Sequence, residues 1–151
     1  MMTPTHFMFA LAIAYILRLP RIPTAIAGII PDIDFVLHYG FPFMHRGIIH
    51  TPLFMLVCIG IILVATKSKP IAAGFGVGFL AHLLTDIITP TGVMFFYPWP
   101  YFITLNLAYY NSVFANIGII ILSFVTILFY NSGWFRNQVS SRFDINLGGN
   151  V

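Results

Sequence analysis

The sequence predicts an all-α integral membrane protein, a bundle of four to five transmembrane helices with a short or re-entrant N-terminal pair. Three observations point there. Hydrophobic residues make up 59% of the 151 and charged ones only 7%, whereas soluble domains carry about a quarter charged. Apolar runs of near-spanning length recur along the chain. Prolines and hydroxyl residues bound those runs as they bound helices. The length is that of one domain, and so little polar surface cannot cover a water-facing sphere of that size. The bilayer is the expected solvent.

Taken in order, the first run is Pro4 to Leu17 with Thr3 as its N-cap. The second is Ile22 to Ile30, bounded by Pro20, Pro23 and Pro31. Both are short of the ~20 residues that cross ~30 Å of hydrocarbon. Thr51 to Thr66, Pro70 to Thr89 and Ser112 to Tyr130 come closer to that length. Thr51 before Pro52, and Ser68 before Pro70, read as helix starts, and Pro90 as a stop. The stretches Phe35 to Met44 and Val93 to Leu107 are aromatic and broken by proline, which suits interfacial loops. Residues 1–135 form the helical domain with its metal site, and 136–151 a polar, mobile, cytoplasmic tail. No basic residue precedes the first run, and Arg18 and Arg21 follow it, opposite to a secretory signal, so that run is expected to be retained. Cys58, the single cysteine, allows no intramolecular disulfide.

The formal charge of +3 comes from seven basic residues scattered singly or in pairs. They make no patch, which excludes nucleic acid as a partner. If all five runs cross, Arg18, Arg21, Lys67, Lys69, Arg136 and Arg142 fall on one side and Arg46 alone on the other. Short basic loops stay cytoplasmic. The expectation is therefore a multi-pass cell-membrane protein with its N-terminus outside, its C-terminus in the cytoplasm, and Tyr130 and Trp134 at the inner interface.

Glutamate is absent, and of four aspartates three, Asp32, Asp34 and Asp86, lie in or beside apolar runs. A carboxylate at membrane depth needs a cation, a metal or a wet cavity, so each marks a functional hypothesis. His6, His45, His50 and His82 keep the same company, whereas His38 reads as an interfacial side chain. At ~1.5 Å per residue, His6 is about 18 Å from Arg18, and Asp32 and Asp34 about 17 to 20 Å from Arg21; His50 is about 25 Å from Lys67, and His82 and Asp86 about 20 and 25 Å from Lys69. All fall in one layer. His82 and Asp86 are four apart and share a helix face. That row continues back through Gly78 and Gly74, small residues that let helices approach closely in lipid. No strand precedes these glycines, so they are packing residues and not a phosphate loop. Pro31-Asp32-Ile33-Asp34 offers two carboxylates at a helix break, where backbone oxygens are also freed. Mixed imidazole and carboxylate ligands suit a divalent metal, zinc first, with manganese or iron as alternatives. The seven candidates His6, Asp32, Asp34, His45, His50, His82 and Asp86 exceed what one ion needs. Either two ions share a bridging Asp, or some of the seven orient the others.

Thr5-His6, Pro31-Asp32-Ile33-Asp34, His45-Arg46-Gly47 with His50, His82-Leu83-Leu84-Thr85-Asp86, and Thr89-Pro90-Thr91-Gly92 with Pro98 follow in that order. Over about the first hundred residues this order resembles the predicted membrane-bound metal-dependent hydrolase family. That family includes bacterial inner-membrane proteins of the DNA-damage response and is distantly similar to zinc-dependent phospholipases C. The resemblance implies hydrolysis of an ester, a phosphoester above all, with metal on the seven matching residues. One departure is Ile49, where the family pattern usually has Thr or Ser.

The expected activity is metal-assisted hydrolysis of a lipid or lipid-like substrate. Arg46 and Asp34 take catalytic roles, Arg46 either binding a phosphate oxygen or serving as a headgroup anchor or as counter-ion to Asp32 or Asp34. The site would be rimmed by Phe95, Phe96, Tyr97, Trp99 and Tyr101. The rival class is a metal-binding transporter or channel, with a non-catalytic, metal-stabilised membrane protein as a third reading. The candidates gather toward one face, and the inner half of the last three runs offers only Thr66, Asn116 and Ser123, which favours the enzyme.

Overall fold

In the computed structural model the described residues are 1–34, 46–96, 99 and 101–133. The helices among them are α1 (Thr3–Leu17), α2 (Arg21–Ala27), α3 (Pro52–Thr66), α4 (Lys69–Ile87) and α5 (Val113–Asn131). Single 3-10 turns stand at Ile30–Asp32 and Ile48–His50. The loop expected after α4 contains an antiparallel pair, β1 (Val93–Met94) with β2 (Phe102–Ile103), Val93 lying opposite Ile103. Gly92, at φ 61°, makes the turn into β1, and a Cβ there would collide with the Ile103 carbonyl. The polar tail from 136, and with it Trp134, lies outside the described residues, as do His38 and His45.

Local sequence explains the helix ends. The hydroxyls of Thr51, Ser68 and Ser112 accept from the N–H groups of Phe54, Ile71 and Ala115, closing the first turns of α3, α4 and α5. Pro52 and Pro70 sit in first turns, where no N–H is needed. Arg18 and Lys67 end α1 and α3 in the left-handed conformation, each returning its N–H to a carbonyl of the last turn. One expected cap differs. Thr3 lies inside the first turn of α1, and its hydroxyl donates to Asp32 Oδ2 at 2.7 Å.

Two of the described helices, α4 and α5, are long and apolar enough to cross a membrane. α1 and α3 are apolar at 15 residues. α2, with 7 residues, is only about 10 Å long.

α4 is the central helix, touching α1, α2 and α3, while α5 packs on α1. The row read from sequence faces α2: a Cβ at Gly78 would fall on the Thr24 carbonyl, and one at Gly74 on the Thr24 hydroxyl. Phe75, Phe79 and Leu83 form the core with Ala27 and Val93, and Phe54, Met55 and Ile59 of α3 pack against it. No residue of α3 is buried, and α5 turns Phe114, Leu122 and Phe124 outward. Such an outer surface suits contact with lipid.

Candidate metal centre

His6 stands in the first turns of α1, His82 and Asp86 in the last turns of α4, and Asp32 and Asp34 just beyond α2. His50 lies just before α3. Arg18, Arg21, Lys67 and Lys69 lie at or next to the opposite ends of these helices. The described polar candidates therefore meet at one end of the bundle, and these four basic residues flank the other.

Each imidazole is held by its Nδ1. His82 Nδ1 lies 2.8 Å from the Gly28 carbonyl oxygen, which can only accept, so this nitrogen donates. His50 Nδ1 lies 2.9 Å from Asp34 Oδ2. His6 Nδ1 lies 2.7 Å from Thr85 Oγ1, whose own proton goes to the Ala81 or His82 carbonyl, so here too the ring donates. With Nδ1 protonated, the neutral rings of His50 and His82 have their lone pair at Nε2, whereas His6 also turns Nε2 to an acceptor, the Met1 carbonyl. The three Nε2 atoms face acceptors or one another. His82 Nε2 is 3.2 Å from His50 Nε2, 3.4 Å from Asp86 Oδ2 and 3.7 Å from Asp32 Oδ1. His50 Nε2 is 3.6 Å from Asp86 Oδ2. His6 Nε2 is 3.1 Å from the Met1 carbonyl and 3.4 Å from Asp86 Oδ1, and its ring stacks on His82 with centroids 3.8 Å apart. His6, His50 and His82 are fully buried or nearly so, as is Asp86.

This set fits a divalent ion. Ligand atoms about 2.0 to 2.2 Å from a tetrahedral metal lie about 3.3 to 3.6 Å from each other. His50 Nε2, His82 Nε2 and Asp86 Oδ2 make a triangle with edges of 3.2, 3.4 and 3.6 Å. Three acceptors that converge in a buried site, with His82 Nδ1 donating on the far side of its ring and His50 Nδ1 set against Asp34, are an arrangement that suits a bound cation. A second grouping, His6, Asp32 and His82, also keeps its ligand atoms within 4.8 Å of one another. Both groupings use the one Nε2 of His82.

Asp34 and Arg46 each face several partners. Asp34 Oδ2 accepts from the Arg46 backbone N–H at 2.8 Å and makes an ion-pair contact of 2.9 Å with His50 Nδ1, and Asp34 belongs to neither metal grouping. Its carboxylate lies against the His50 ring. The Arg46 guanidinium pairs with Asp86, Nη2 to Oδ1 at 3.4 Å, and not with Asp32 or Asp34. Its Nη1 donates to Thr89 Oγ1 and the Gly92 carbonyl. Arg46 takes a left-handed backbone, φ 61°, as it turns inward.

Of the expected aromatic rim, Phe96, Trp99 and Tyr101 are exposed, Phe95 packs on the core, and Tyr97 lies outside the described residues. Sequence reasoning passed over Thr85, the Gly28 carbonyl and Thr3. It also set Asn116 in the inner half, whereas Asn116 Oδ1 accepts from Met2 N and Thr5 Oγ1 at the same end as His6. Thr85 carried a signal, since it falls one residue from Asp86 and three from His82 on the same helix.

No curated protein and no solved structure matches the chain. Residues 1–141 match the YdjM inner membrane protein family. The match takes in every described helix and the whole of the candidate centre, so the chain belongs to the YdjM inner membrane protein family.

Proposed function

We propose that the chain is a membrane-embedded, metal-dependent hydrolase acting on an ester, a phosphoester of a lipid-like substrate first among them. The observation that carries this is the triangle of His50 Nε2, His82 Nε2 and Asp86 Oδ2, with both Nδ1 atoms engaged behind it. These three residues would hold the ion, and His6 and Asp32 stand beside it for a further coordination position or for substrate. Three protein ligands and an open position are the pattern of catalytic zinc. When bound, the ion supplies a Lewis acid and a water acidic enough to attack an ester near neutral pH. Asp34 and the Gly28 carbonyl orient the ligating rings. Arg46 offsets the Asp86 charge and presents its guanidinium beside the reacting centre.

The same reading takes four or five runs as membrane spans, with α2 the weakest. It sets the centre toward the outer face and the basic helix ends in the cytoplasm, on the strength of the charge asymmetry. The test combines elemental analysis of the purified full chain with release of phosphate or headgroup from lipid extracts. The expected result is a bound transition metal, with hydrolysis lost on chelation and restored by zinc or manganese. No bound metal, together with thermal stability indifferent to chelator, would overturn the reading. Bound metal without hydrolysis would leave a metal-stabilised membrane protein.

A further inference from the structure

Next to the candidate centre lies a cavity of about 970 Å³, near the upper end of the roughly 300 to 1,000 Å³ usual for small-molecule sites. Among the described residues, Asp32 and Arg46 give it a charged edge, and most other walls are apolar, with Ile26, Ile29, Ile33 and Tyr110 prominent. The charged edge is continuous with the centre, because Asp32 Oδ1 is 3.7 Å from His82 Nε2 and Arg46 Nη2 is 3.4 Å from Asp86 Oδ1. Ile26 and Ile33 are 45% and 57% exposed. They carry the apolar lining out to a helix surface that is itself apolar.

A ligand that fills such a space has an apolar body and one charged end. The guanidinium settles the sign of that end. Contacts among the described residues use three of its five N–H donors, to Thr89, Gly92 and Asp86. The others suit an oxyanion, and a guanidinium matches phosphate in a fork geometry. A water-soluble phosphoester would leave the isoleucine walls without an apolar partner, whereas a membrane amphiphile covers them.

We infer that this cavity is the chain-binding part of the substrate site, taking one apolar chain of a membrane lipid and holding its anionic phosphoester at Arg46, next to Asp32 and His82. The inference rests on the hydrolase reading for what then happens to the ester, but not for binding.

The probe is phosphatidic acid with a diazirine-bearing acyl chain, in phosphatidylcholine nanodiscs holding the full chain. Irradiation followed by peptide mass spectrometry reads the contact. Label is expected on the segment 26–33, falling about tenfold in Ile29→Trp and in Ile33→Trp, which fill the cavity from within and at its mouth. Val64→Trp, at a position 78% exposed on α3, keeps the wild-type level. Diacylglycerol with the same reactive chain, which lacks the phosphate, labels several-fold less. Two cavity variants guard against one that fails to fold, which size-exclusion chromatography reports. Label outside 26–33, or unchanged in both folded cavity variants, overturns the proposal, and diacylglycerol labelling equal to phosphatidic acid overturns its anionic part. Hydrolysis is scored separately: the expected labelling without cleavage sinks the hydrolase reading alone, and cleavage with misplaced label sinks the cavity alone.

Discussion

Asp86 uses both carboxylate oxygens. Oδ1 meets the Met1 amino group at 2.8 Å and His6 and Arg46 at 3.4 Å, and Oδ2 faces His82 and His50 at 3.4 and 3.6 Å. Asp86→Asn keeps the shape and removes the negative ligand, so the bound ion and the hydrolysis it supports are expected to be lost. Chelator is expected to lower the melting temperature of the wild type and leave that of Asp86→Asn unmoved. A chelator-sensitive, active Asp86→Asn protein would take Asp86 out of the centre; Asp144→Asn serves as control. Asp34→Asn is expected to weaken metal binding by about 10 to 100-fold while activity returns at saturating metal, the pattern of a residue that orients a ligand. Metal titration of the purified variant checks it. Much of the residue level was legible, because imidazoles and carboxylates stand out in an apolar run. Thr85 carried only its place beside Asp86, since a helical threonine ordinarily bonds its own backbone, and the Gly28 carbonyl carried nothing, since a freed carbonyl belongs to every residue type alike.

The contact between α2 and α4 depends on glycine. A Cβ at Gly78 would collide with the Thr24 carbonyl, whereas one at Gly60 or Gly118 meets nothing within 4 Å. Gly78→Ala is therefore expected to destabilise the protein by about 1 to 3 kcal/mol through overpacking. Gly118→Ala should be neutral or stabilising, since alanine is the better helix former by up to about 1 kcal/mol. Thermal unfolding in one detergent, followed by size-exclusion chromatography, decides between the signs. The variant also bears on the site, since His82 and Gly28 sit one helical turn beyond this contact and are joined by the Nδ1 hydrogen bond. α3, α4 and α5 were legible to within a residue or two, because caps and proline act locally. The β1–β2 pair was not, since two-residue strands carry no alternation to read and their pairing joins residues eight or more apart.

For the whole molecule, the candidates with Arg46 at one end and Arg18, Arg21, Lys67 and Lys69 at the other turn the charge asymmetry into a topology test. In a Cys58→Ala background, Tyr109→Cys, at a position 70% exposed before α5, is expected to react with a membrane-impermeant thiol reagent in intact cells. Ser68→Cys, between α3 and α4, is expected to stay unlabelled until the membrane is opened. The reverse pattern would turn the centre to the cytoplasm. Composition and run length determined by themselves that this is a helical membrane chain, and charge placement marked one layer of polar residues. Transfer from water and the cost of a charge in hydrocarbon depend mainly on residue type and depth. Only the tertiary structure decided that Asp34 backs His50, that Arg46 pairs with Asp86, and that three Nε2 atoms turn inward. Those outcomes depend on how each helix is rotated about its axis and on which nitrogen of each ring finds an acceptor, and spacing along one chain leaves both free.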